Sequence, residues 1–140
     1  MEIDNNLIIK YNECKQALLT LGNSINLLKK TDETSKPDEY LAFQDSVIQR
    51  FEYSLDIIWK YVKDYIAKKH GVTVKSPKET FREAFRQNIL NLQESELALE
   101  MVDDRNETTH RYDFAKAKET ARNILKYQKL LTHLLERTNI

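Results

Sequence analysis

Between residues 7 and 28 the apolar side chains fall at Leu7, Tyr11, Cys14, Leu18, Leu21, Ile25 and Leu28. These steps alternate four and three, which keeps one stripe on one side of an α-helix, the seam of a helical bundle. The step recurs at Phe51, Leu55, Ile58, Val62 and Tyr65, and again from Phe114 through Ala117, Ala121 and Ile124 to Leu131 and Leu135. The 140 residues include only two glycines and two prolines, too few for the turns that a strand-rich fold requires. The expected fold is therefore all-α: an up-and-down four-helix bundle with an additional short helix, in one domain over residues 1–140.

Local signals set the expected boundaries. The first helix should end near Lys29 or Lys30, cations that suit the negative end of the helix dipole. Gly22 inside it costs about 1 kcal/mol against alanine or marks a close approach by a neighbouring helix. After a polar loop from Thr31 to Pro37, a second helix should run from Asp38 to His70, with Gly71 as its stop. Ser76-Pro77-Lys78-Glu79 predicts a helix start: Ser76 caps, Pro77 fits the first helical position and Glu79 reaches back as a capping box. That helix should turn Phe81, Ala84 and Phe85 inward and fade near Asn88 to Asn91. Another should begin near Glu94 or Ser95 and carry Leu97, Met101 and Val102, and Asp113 should cap the last. Trp59 reads as a core or interface anchor.

Lys and Arg number 22, as do Asp and Glu, so no global basic field draws in nucleic acid and an RNA partner needs a local patch. Residues 60–86 supply a candidate: eight cations, from Lys60 to Arg86, against Asp64, Glu79 and Glu83. Such a run is either a solvated face or a basic rim for a phosphate backbone. The single cysteine, Cys14, excludes an internal disulfide framework and reads as a core thiol. His70, His110 and His133 are too scattered for a zinc site, and with no Gly-rich phosphate loop either, neither metal nor cofactor is expected. No apolar run is long enough for a bilayer and the start is not that of a signal peptide, so a cytoplasmic location is expected.

The densest chemistry lies in Arg105-Asn106-Glu107-Thr108-Thr109-His110-Arg111-Tyr112. A guanidinium can fork phosphate oxygens, and an imidazole titrates near neutrality. Together they suffice for metal-independent RNA cleavage, in which a proton leaves the ribose 2′-OH, another reaches the leaving oxygen and a cation holds the phosphate charge. On a continuous helix Arg105 and His110 stand about 140° apart. They meet at one phosphate only if the helix breaks between them or if two copies of the chain meet. Asn106, four residues before His110, could fix the imidazole tautomer on such a helix. The bland alternative pairs Arg105 with Asp103 or Asp104 and leaves His110 as a satisfied helix-end residue. Tyr112 is either a hydrophobic staple or an accessible phenol beside the pair.

The motif resembles the R-x-x-x-x-H-x-Y pattern of the HEPN nucleases, in the HepT-like branch also described as nucleotidyltransferase substrate-binding proteins. By chance such a pattern should occur in a chain of this length well under roughly once in a hundred. Two further blocks are similar to that family and stand in its order: Asp45-Ser46-Val47-Ile48-Gln49-Arg50-Phe51-Glu52-Tyr53 with Trp59-Lys60, and Ser76-Pro77-Lys78-Glu79 with Phe81 to Phe85. The resemblance implies a ribonuclease toxin that works as a homodimer. Arg105 and His110 would be its catalytic pair and a minimal nucleotidyltransferase its antitoxin, adding AMP to Tyr112. It equally admits a non-catalytic substrate-binding subunit of that nucleotidyltransferase. The block assigns no chemistry to Arg50, Glu52 or Lys60; Gln49 and Arg50 read as interface or site-supporting polar residues. Two positions depart from the pattern. Ala98 stands where many members have Trp, which should loosen packing, and Arg111 stands where many have a small hydroxyl residue, which adds a cation.

Overall fold

A computed structural model describes residues 5–110 and 113–140, apart from the side chain of His110. Five α-helices and one 3-10 turn follow in order: α1 (Asn5–Lys29), α2 (Pro37–His70), α3 (Pro77–Arg86), α4 (Leu92–Glu107), the turn Thr108–His110 and α5 (Phe114–Arg137). α1, α2, α4 and α5 form the up-and-down bundle. α1 packs on α2 and α5, and α4 on α5, while the short α3 bridges α2 and α4. The expected seams meet in one core, in which Leu21, Phe51, Ile58, Val62, Phe81, Met101 and Ile124 are fully buried. Ala98 is fully buried in it as well, so the smaller side chain lies inside the packing between α4 and its neighbours. Cys14 is a core thiol, its Sγ 3.7 Å from the Ile57 carbonyl. Gly22 marks a close approach: a Cβ there would stand 3.0 Å from the Gln128 side-chain nitrogen on α5.

Helix ends follow local chemistry. Gly71 closes α2 at φ 68, donating its N–H to the Ala67 carbonyl at 3.1 Å. Ser76 caps α3 by accepting from the Glu79 N–H, but the Glu79 carboxylate takes the Lys75 N–H at 2.8 Å instead of completing a box with Ser76. α4 begins earlier than expected, because Asn91 and Glu94 form a reciprocal capping box at 2.8 and 2.9 Å.

Two expected core residues lie outside the core. Phe85 is 40% exposed because α3 stops one residue later, and a turn through Asn88 at φ 60 folds Ile89 and Leu90 under the helix. Both of their N–H groups reach the Ala84 carbonyl. Phe114 is 71% exposed: it opens α5 next to the Asp113 cap, and the buried stripe starts one turn later at Ala117. Trp59 is half-buried against the core with the Lys63 ammonium over its ring. The periodicity also passes over Tyr127, which is fully buried and stacked on Phe51 with ring centroids 5.6 Å apart.

Candidate functional site

The last turn of α4 is tied to the bundle by three consecutive side chains, each reaching a different helix. Asp103 pairs with Lys78 of α3 at 2.7 Å. Asp104 accepts hydrogen bonds from the Tyr127 hydroxyl and from the Asn123 amide of α5. Arg105 points to α2, where its Nε and Nη2 donate to the two oxygens of Asp56 at 3.3 and 3.0 Å, and its Nη1 stands 3.2 Å from Glu52 Oε2. Arg105 therefore does not pair with Asp103 or Asp104. The geometry at Asp56 is side-on and bidentate, the same fork that a phosphate would occupy. The guanidinium is held above its usual pKa, chiefly by the hydrogen bonds it donates to Asp56. Burial opposes this, and the charges of Asp56 and Glu52 add to it.

The α-helix then gives way to a 3-10 turn, and the sequence explains why. Thr108 and Thr109 are consecutive hydroxyl residues that bond back to the chain three residues earlier. Thr108 Oγ1 donates to the Arg105 carbonyl at 2.7 Å and accepts from Arg105 Nη1 at 3.3 Å. Thr109 Oγ1 donates to the Asn106 carbonyl at 3.3 Å. The α-helical register required for an Asn106–His110 pairing thus ends at Glu107. Asn106 is exposed on the last turn of α4, and His110 closes the 3-10 turn. Arg111, Tyr112 and the imidazole of His110 lie outside the described residues. Beyond the motif, Asp113 caps α5 through the Lys116 N–H, and Lys116 pairs with Glu107 at 2.7 Å.

Arg50, read from the sequence as an interface or site-supporting polar residue, does not reach Arg105 and donates to the Thr20 carbonyl of α1 at 2.7 Å. The residues that do support Arg105 are Glu52 and Asp56. Their signal was available: two carboxylates four residues apart on a face of α2 that the apolar seam leaves out. Only the tertiary fold brings that face to Arg105. Among the described residues, no group of three or more His, Cys, Asp or Glu is placed to hold a metal ion. No described helix is long and apolar enough to cross a membrane.

The family described as nucleotidyltransferase substrate binding protein-like matches the chain over residues 10–140. The chain belongs to that family. The match takes in α2 with its two carboxylates and the whole motif. A crystal structure of a protein from Thermus thermophilus is similar at 33% identity and a TM-score of 0.78, over 91% of this chain and 99% of that one. No curated protein matches.

Proposed function

We propose that this family member is a metal-independent endoribonuclease of the HEPN type, the toxin of a pair whose antitoxin is a nucleotidyltransferase. The observation that carries the reading is Arg105. An arginine on a helix end, oriented by two carboxylates and followed within one broken turn by His110, is more than a surface ion pair requires. In this reading His110 moves the protons between the 2′-OH and the leaving oxygen. Arg105 takes the phosphate charge. Tyr112 accepts AMP from the partner, adding negative charge and bulk that repel RNA. The pair needs no metal for this chemistry. A second reading, a substrate-binding subunit that completes a nucleotidyltransferase, is favoured by the family's description and asks the same phosphate contact of Arg105.

Incubation of the purified chain with total cellular RNA tests the proposal. Cleavage should persist in EDTA, leave 2′,3′-cyclic phosphate ends and disappear in Arg105→Ala and His110→Ala proteins that remain folded. Co-expression with the cognate nucleotidyltransferase should raise the mass by AMP units, which Tyr112→Phe abolishes. Cleavage by His110→Ala at the wild-type rate removes the nuclease mechanism. Absence of cleavage by the wild type, with RNA or nucleotide still bound, moves the second reading ahead.

A further inference from the structure

Arg105 is the phosphate ligand in the proposed function, yet its phosphate-facing fork is already filled. Asp56 occupies the Nε–Nη2 edge with both oxygens, while Glu52 and the Thr108 hydroxyl engage Nη1. Asp56 thus stands on the edge that a phosphate would fork, and a phosphate can take that edge only when this carboxylate leaves it.

The two carboxylates differ in burial. The Glu52 side chain keeps 14% of its surface exposed and that of Asp56 keeps 43%. Glu52 grips Nη1, whereas Asp56 lies on the edge that a phosphate would fork. Four residues beyond Asp56 on α2 stands the exposed Lys60. Acid before base at that spacing is the favourable order for a helical ion pair, so Lys60 can receive a released Asp56 carboxylate without any backbone movement. We infer that Asp56 is an exchangeable occupant of the phosphate site: substrate phosphate displaces it from the Arg105 fork, while Glu52 keeps the guanidinium in place. Asp56 and Glu52 are thus positioning residues with opposite effects on binding. The inference rests on Arg105 binding phosphate, which both readings above share.

Its test uses a labelled single-stranded oligoribonucleotide with 2′-O-methyl groups, which the chain can bind but not cut through the 2′-OH, followed by fluorescence anisotropy at low salt. Asp56→Asn should bind about two- to fivefold tighter, the worth of a half-exposed ion pair that no longer competes. Asp56→Glu should return toward the wild-type affinity. Glu52→Gln should not tighten binding, because Glu52 does not occupy the fork. If cleavage is observed, Asp56→Asn should lower KM more than it changes kcat, a split that mere loss of fold cannot produce. Equal tightening by Glu52→Gln overturns the exchange and leaves only general charge relief. Unchanged or weaker binding by Asp56→Asn also overturns it, provided Arg105→Ala still weakens binding. If Arg105→Ala binds like the wild type, the phosphate role of Arg105 has failed, and the functional reading falls first.

Discussion

Three buried groups make the chain sensitive to alkali. Burial, aided by the charge of Glu13, pushes the Cys14 thiol from 9.0 up to about 12. The Tyr61 phenol is raised by burial and then by the charges of its neighbours Tyr11, Cys14 and Tyr65. The Tyr127 phenol is raised by burial and by its hydrogen bond to Asp104. In each case the fold prefers the neutral form, so the unfolded chain loses the proton first. The stability they confer is complete below their ordinary values and declines as pH rises from about 9 toward the folded values. Cys14 alone should account for a loss on the order of 2 kcal/mol by about pH 10.5. Thermal melts followed by circular dichroism should show a melting temperature that drops between about pH 9 and 10.5, with a shallower drop in Cys14→Ala. A melting temperature constant across that range would contradict this account. The thiol should also resist iodoacetamide at neutral pH until the chain unfolds.

At the scale of elements, α2 carries both the core stripe and the carboxylates that hold Arg105, so its end matters to the site as well as to the fold. Gly71 sits at φ 68, and a Cβ added there meets no atom within 4 Å. The cost of Gly71→Ala is therefore conformational, about 1 kcal/mol, and Gly71→Asn should cost less. Urea midpoints of the two variants measure the difference; an alanine variant as stable as the wild type would remove the left-handed cap from the account. Most of this level was legible in the sequence, because the stop at Gly71, the Ser76 cap, the Asp113 cap and the four-three seams are all local or periodic signals. Phe85 and Phe114 were misplaced because periodicity does not tell where a helix projects past its neighbours. The motif itself could be read, since Arg105, Asn106 and His110 stand close in sequence. Its supports could not: Glu52 and Asp56 lie about fifty residues earlier, and no local rule brings their face of α2 to α4.

At the scale of the whole molecule, charge bears on the proposed ribonuclease activity. Its 22 cations are matched by 22 acids, and Arg105 faces two carboxylates. Of the cations in the basic run, Lys78 is spent on Asp103 and Arg86 leans on Glu83. Two copies facing each other would double the Arg105–His110 set along one RNA strand. The break after Glu107 adds a second route, because it takes His110 off the spiral that sets it about 140° from Arg105 on a continuous helix. Phe114 is a ring that a dimer could cover: it opens α5 next to the Asp113 cap, within four residues of His110, and is 71% exposed. Covering such a ring is worth about 2 kcal/mol per copy. We therefore expect sedimentation at micromolar concentration to give twice the 16.6 kDa of the monomer. Phe114→Asp should shift the population to monomer and lower RNA cleavage together. The substitution should leave the fold intact, because the position is exposed and an acid in the first turn of α5 suits the helix dipole. A Phe114→Asp monomer that cuts RNA at the wild-type rate would show that one chain holds a complete site, and the broken turn would then be what brings His110 to Arg105.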